Sequence, residues 1–122
     1  MQHARVKAYR SGVFAETLAA LLFRLKGYAI VARRYKTPVG EIDLVALKGR
    51  RLVFVEVKRR KTTGDAAWTL PAKQRRRIVR AAQYWLSSHP DFAGHDIAFD
   101  VVLTAPLAWP RVIADAFPVD GQ

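Results

Sequence analysis

Apolar residues recur along this chain with two periods, and the switches between them mark its elements. From Ser11 to about Lys26 the spacing is helical, with Phe14, Leu18, Leu21, Leu22 and Leu25 on one broad apolar face. Ser11 suits the N-cap of this helix, and Gly27 supplies the stop. A partial alternation from Tyr28 to Tyr35 predicts a strand, and Thr37-Pro38-Val39-Gly40 a turn. Glu41 to Leu47 and Leu52 to Arg59 are the clearest strands; Gly49-Arg50 between them suits a two-residue type II′ hairpin turn. Lys61 to Trp68 reads as a loop around Gly64. A second helix starts near Thr69 to Pro71 and ends near Ser88, before Pro90. Ile97 to Leu103 predicts a fourth strand, and Trp109 to Ala114 a short last one. Helix, three strands, helix and strand make an α/β domain, a small mixed sheet with helices packed on it.

Composition adds a size and a partner. The 122 residues, 51% of them apolar, suit one domain spanning 1–122 with its own core, with residues 1–10 as a flexible lead-in. The absence of cysteine excludes disulfides and thiolate metal sites and fits a reducing cytoplasm. The first ten residues are polar and basic, unlike a signal peptide, and the longest apolar run, Leu18 to Phe23, is far too short to span a bilayer. The expectation is a soluble cytoplasmic protein with no membrane partner. With 21 Lys and Arg against 10 Asp and Glu, the net charge of +11 argues for a polyanion, nucleic acid before an anionic lipid surface.

The placement of the charges sharpens that reading. On the second helix, Ile78, Ala82, Trp85 and Leu86 make a buried side, and Lys73, Arg76, Arg77, Arg80 and Tyr84 the opposite one. Lys73 with Arg77 and Arg76 with Arg80 are like-charge i,i+4 pairs, each costing a few tenths of a kcal/mol (~0.2–0.5) on an isolated helix. Asp65 is the one acid between Glu56 and Asp91. A solvated helix face is the bland reading, but the uncompensated repulsion favours a phosphate backbone as counter-charge. Arg59, Arg60 and Lys61 extend the basic surface from Lys58, and Lys73, at the helix start, is expected nearest to any site there.

Candidate chemistry lies in the hairpin. Strand alternation puts Glu41, Asp43, Val45 and Leu47 on one face, and Leu52, Phe54, Glu56 and Lys58 on one face of the next strand. Closing the hairpin at Gly49-Arg50 pairs Leu47 with Leu52, Val45 with Phe54, Asp43 with Glu56 and Glu41 with Lys58. Asp43 and Glu56 then oppose each other with Cβ atoms roughly 4.5–5.5 Å apart, an arrangement that weakens a sheet. It also raises a pKa unless a positive charge intervenes. A Mg²⁺ ion, content with one or two carboxylates and several waters, resolves the conflict, and can activate water beside a phosphate. Lys58 on the same face could stabilise phosphate oxygens or orient the water. The alternative is a half-solvated strand with a surface ion pair between Glu56 and Lys58. The metal site accounts for more, because it explains why the two acids oppose each other.

The residues themselves support a resemblance. Gly40-Glu41-Ile42-Asp43-Leu44-Val45 followed by Val55-Glu56-Val57-Lys58 resembles the PD-(D/E)XK nuclease signature. The chain from Gly12 to Phe117 is similar to the YraN family of small bacterial predicted endonucleases, related to archaeal Holliday-junction resolvases. The similarity runs through Gly12, Glu16, Gly27-Tyr28, Gly64, Lys73, Ala81-Ala82, Tyr84 and Phe99-Asp100-Val101-Val102. It implies a restriction-endonuclease-like α-β-β-β-α-β core. It also implies Asp43 and Glu56 as ligands of Mg²⁺ or Mn²⁺, Lys58 as the catalytic lysine, and Glu16 as a further contributor from the first helix. The signature's Pro-Asp is replaced by Gly40-Glu41-Ile42-Asp43. Arg34 stands where asparagine is usual, and Ala98 where an arginine often precedes Phe-Asp.

Other residues stay open. Helical spacing turns Glu16 away from Leu18, Leu21 and Leu25, toward a second face of Gly12, Ala19, Ala20 and Phe23, small enough for close approach to another element. Without the resemblance it reads as an exposed glutamate. Trp68 could stack on a base or cap the core, and Asp100 could serve the site or the structure. His3, His89 and His95 lack metal-ligand spacing. The leading functional expectation is a Mg²⁺- or Mn²⁺-dependent endonuclease acting on DNA, more than RNA, at branched or single-stranded structures. The alternatives are a non-catalytic nucleic-acid-binding module with the same fold and a basic partner of a ribonucleoprotein. Resemblance to junction resolvases also implies a homodimer, since a two-fold substrate suits a two-fold enzyme.

Overall fold

The computed structural model describes residues 2–61, 63–64 and 70–118, with the backbone alone over 2–11. In chain order the elements are α1 (Gln2–Leu25), β1 (Ala29–Thr37), β2 (Gly40–Lys48), β3 (Arg51–Arg59), α2 (Ala72–Ser88), β4 (Asp96–Thr104) and β5 (Arg111–Ile113), with a 3₁₀ turn at Pro90–Phe92. The α-β-β-β-α-β order expected from the sequence is present. The five strands form one sheet in the order β1-β2-β3-β4-β5. Neighbours are antiparallel except β3 and β4, which run parallel and are joined by α2 as a crossover. Gly49 has φ +60 while Arg50 stays on the negative side, as a type II′ turn requires.

Helix α1 begins at Gln2, so the expected N-cap at Ser11 is not found and the first ten residues are not a lead-in outside the helix. Its C-terminus is closed by Gly27, two residues past Leu25, as expected. There φ is +93, and the amides of Gly27 and Tyr28 bond back to the carbonyls of Arg24 and Phe23 in a Schellman arrangement. The Phe23 and Tyr28 rings seal it edge to face, with centroids 5.0 Å apart.

The packing face of α1 is a correction. Phe14, Leu21 and Leu25, expected to face the core, are 69%, 50% and 75% exposed. The sheet receives the small-residue face instead: Ala19, Ala20 and Phe23 are buried against Leu44, Ala46, Val53, Val55, Ala98 and Val102. Small side chains let a helix backbone approach a sheet whose own surface supplies the bulk; Leu21 and Leu25 are left outside and Leu18 and Leu22 stay half-buried. Helix α2 covers the other face as expected. Ile78, Val79, Ala82 and Trp85 pack with Ile42, Val45, Phe54, Phe99, Val101 and Leu103. Trp85 sits edge-on to Phe54 at 5.7 Å and stacks on His89 at 4.0 Å.

Alternation along β2 fails at one place, and that place positions the site. Ala32, Val45, Tyr35 and Ile42 all pack toward α2, although Ile42 and Val45, like Ala32 and Tyr35, are three residues apart. Arg33 pairs with Leu44 and Tyr35 with Ile42, so Arg34 and Asp43 are the intervening residues. Arg34 has φ +50, a region unfavourable for a branched-off side chain. The β1–β2 ribbon therefore turns over at this point. Glu41 and Asp43 emerge on the α1 side, while Val45 and Leu47 stay on the α2 side. The expectation that these four share a face is not met.

Candidate metal and nucleic-acid site

Helix α1 contributes Glu16, buried because it belongs to the small-residue face. Its Oε1 accepts the Nε of Arg33 at 3.3 Å, and its Oε2 lies 3.6 Å from the Nε of Arg34. Burial raises the Glu16 pKa above its ordinary value, with Arg34 and Arg33 pulling it back. The exposed-glutamate reading is thus wrong for this fold. Glu16 lies in a cavity of about 220 Å³ with Gly12, Arg34, Glu41, Asp43, Val57 and Arg59.

The expected pairing of Asp43 with Glu56 stops one step short. The β2–β3 ladder follows the predicted register from Lys48 with Arg51 to Leu44 with Val55 and ends there. Beyond it the strands part, and β3 continues beside β4 as far as Arg59 with Thr104. In the gap the Asp43 carboxylate, rather than its backbone, reaches across: Oδ2 accepts the Val57 amide at 2.8 Å. Asp43 and Glu56 therefore both lie at the split, one step beyond the last paired residues, and are not a ladder pair.

They nevertheless sense each other. Burial pushes the Glu56 carboxyl up to about 7, with the Asp43 charge the next largest cause and Lys58 opposing both. Burial likewise pushes Asp43 up to about 6, the Val57 hydrogen bond opposing and Glu16 and Glu41 adding to the rise. Lys58 Nζ is 3.2 Å from Glu56 Oε1, the predicted neighbour. Four of the chain's 10 acids, Glu16, Glu41, Asp43 and Glu56, thus gather in one place on a molecule of net charge +11. Among the described residues no three acids or histidines are close enough to form a ready-made metal cage. Asp43 and Glu56 each bring hard carboxylate oxygens to a poorly solvated gap, a donor type that fits Mg²⁺ or Mn²⁺.

The basic residues fall in two places. Lys73, Arg76, Arg77, Arg80 and Tyr84 are all exposed along α2, as the helical pattern predicts. Among the described residues those four cations make no ion pair. Arg77 rather than Lys73 marks where α2 meets the start of β2: a methyl placed on Gly40 would lie 3.6 Å from the Arg77 carbonyl oxygen. Arg59, Arg60 and Lys61 end β3 on the other side, beside a larger cavity. Arg60 is tied to β4 through its amide and the Thr104 carbonyl at 2.7 Å.

Several residues are sorted by the structure. Asp100 is engaged in structural contacts: it is 2% exposed, binds Arg51 at 2.9 Å and accepts the Asp115 amide at 2.9 Å. Ala98 is a core residue on the α1 side. Trp68 lies outside the described residues. Sequence patterns give no role to Glu41 or Arg33 and leave that of Arg34 open. A GEID run beside an Arg-Arg pair was the available signal, but only the turned ribbon brings them together.

A family model described as Uncharacterised protein family UPF0102 matches residues 15–104, which include every element from the buried face of α1 to β4. The chain belongs to this family. UPF0102 proteins from Parvibaculum lavamentivorans (strain DS-1) and Rhodopseudomonas palustris (strain BisB18) are 57% and 50% identical over 110 and 113 residues. These stretches cover 90% and 93% of this chain, and 83% and 84% of the relatives. The matched span contains Glu16, Asp43, Glu56, Lys58 and the α2 stripe. No described helix is long and apolar enough to cross a membrane.

Proposed function

We propose that this UPF0102 protein is a metal-dependent endonuclease of the PD-(D/E)XK type, the YraN-like reading of its motifs, hydrolysing DNA phosphodiester bonds. The observation that carries the proposal is the split between β2 and β3, where the half-buried Asp43 and Glu56 have raised pKa values beside Lys58, on a strongly basic molecule. Enclosing two acids beside a single lysine is costly, so such a cluster is a functional-site candidate. In this reading Asp43 and Glu56 hold Mg²⁺ or Mn²⁺, which would supply charge neutralisation at the phosphate and a more acidic bound water. Lys58 holds a non-bridging phosphate oxygen or orients the attacking water, its ammonium kept in place by Glu56. Glu16, held by Arg33 and Arg34, brings a further carboxylate to the α1 side of the site.

A second reading has its own support. The Asp43 carboxylate is already satisfied by the Val57 amide, and no three ligands converge among the described residues. Both suit a module that binds nucleic acid without cutting it. Incubating labelled DNA and RNA duplexes, single strands, flaps and four-way junctions with Mg²⁺, Mn²⁺ or EDTA separates the two. Metal-dependent cleavage of DNA that disappears in Asp43→Asn and Lys58→Ala supports the nuclease. Binding that is indifferent to metal, with every substrate intact, supports the module.

A further inference from the structure

Two cavities meet along Ala15, Val57 and Arg59. One holds the carboxylates. The other, about 1030 Å³, has the opposite character: Phe14, Leu18 and Pro106 give it an apolar wall, and the basic run from Lys58 to Lys61 gives it a cationic one. No carboxylate lines it among the described residues. Phe14 is 69% exposed although its neighbour Ala15 is buried at 4%, so the helix presents this ring to the cavity's solvent side while packing the next residue on the sheet. Arg59 and Lys61 are exposed as well.

An exposed aromatic ring facing backbone-tracking cations is how single-stranded nucleic acid is held, by stacking its bases and pairing its phosphates. A paired duplex hides its base faces and offers this ring nothing. A second copy of the chain would suit the apolar wall but would bring another +11 against Arg59 and Lys61, so charge favours a polyanion. We infer that this cavity takes unpaired nucleotides of a DNA strand, with a base on Phe14 and phosphates on Arg59 and Lys61. The strand is thereby delivered past Val57 to the carboxylates. The inference rests on the nuclease reading and gives it a substrate class: strand ends, flaps and single-stranded stretches rather than uninterrupted duplex.

The test measures binding in EDTA, where no cleavage intervenes. Fluorescence anisotropy with a labelled oligothymidylate and with a duplex of equal length compares wild type, Phe14→Ala and Phe14→Trp. Phe14→Ala should weaken single-strand binding about fivefold or more, the low end for loss of one base–aromatic stack. It should leave duplex binding unchanged, and Phe14→Trp should restore the single strand. With its side chain in solvent, the substitution should not disturb folding, which circular dichroism checks. If wild type binds duplex alone, or Phe14→Ala lowers both affinities equally or neither, the cavity assignment fails while the nuclease reading survives. If wild type binds neither nucleic acid, the functional reading itself fails. A drop in molecular mass by light scattering in Phe14→Ala, with single-strand binding unchanged, would make this wall a protein interface and overturn the inference.

Discussion

Asp43 carries two opposed demands: its carboxylate caps an otherwise unpaired amide at Val57, and its charge sits in a poorly solvated gap beside other acids. Folded pKa values of about 6 for Asp43 and about 7 for Glu56, against ordinary values of 3.8 and 4.5, mean that the folded state binds protons more tightly than the unfolded one. Between about pH 4 and pH 7 the contribution of these two groups to stability therefore falls as pH rises, each tenfold gain in proton affinity being worth ~1.4 kcal/mol at most. Thermal melts in EDTA across that range should show the fall, and Mn²⁺ should reverse it at pH 7.5 but not at pH 5, where protons compete with the ion. Asp43→Asn keeps an oxygen for the Val57 amide and removes one charge. It should be as stable as wild type in EDTA, or more stable by about 0.2–1 kcal/mol, and should lose most of the response to metal. A variant that melts well below wild type in EDTA, with neither protein responding to metal, would mark Asp43 as purely structural.

Arg34 offers a test of strain at the same scale. Its φ of +50 is tolerated by glycine and, less easily, by asparagine, the residue the YraN resemblance expects there. Arg34→Gly and Arg34→Ala both remove the guanidinium from Glu16 and Glu41, so their difference isolates the backbone. Arg34→Gly should be the more stable by about 1 kcal/mol in chemical denaturation. Equal stabilities would show that the ribbon relaxes at no cost.

At the scale of elements, α1 shows how a hydrophobic pattern can be read correctly as a helix and wrongly as a face. Its leucines and Phe14 make the larger apolar stripe, but Ala19 and Ala20 make the closer contact, and both are fully buried. The sheet surface beneath is already filled by Leu44, Val53 and Val55, which leaves no room for leucine-sized side chains. Ala20→Leu should consequently overpack the interface and cost about 1–3 kcal/mol. Leu25→Ala, on the exposed side, should change stability by less than about 0.5 kcal/mol. Urea denaturation of the two variants decides it; the reverse order would restore the leucine stripe as the packing face. The hairpin of β2 and β3 behaves differently. Its turn and register follow from Gly49 and from matching Val45 to Phe54 and Leu47 to Leu52. Its far end does not, because the strands separate where the side chains become charged.

The whole molecule is governed by its charge. Four exposed cations along α2 face solvent, and the run from Lys58 to Lys61 lines the cavity at the end of β3. Replacing Arg76, Arg77 and Arg80 together with alanine should weaken nucleic-acid binding across all sequences. It should also flatten the dependence of log K on log salt by about 0.9 for each lost contact to duplex phosphate. A salt titration with an unchanged slope would place the duplex elsewhere on the surface. The helix itself should survive, since alanine has higher helix propensity and the like-charge pairs disappear.

The order of elements, the hairpin register near its turn, the two-sided α2 and the choice of Asp43, Glu56 and Lys58 as candidates were determined by the sequence by itself. Each depends on local spacing: a period of two or 3.6 residues, a glycine with positive φ, a short motif. Tertiary structure alone decided which face of α1 meets the sheet, because two apolar faces compete there and the winner depends on the surface opposite. It decided the burial of Glu16 for the same reason. It also decided that Asp43 and Glu56 meet across a split rather than along a ladder. That outcome needs β1 and β2 to turn over at Arg34 while β3 is held straight by its parallel pairing to β4, and no periodicity within one strand records what its two neighbours do.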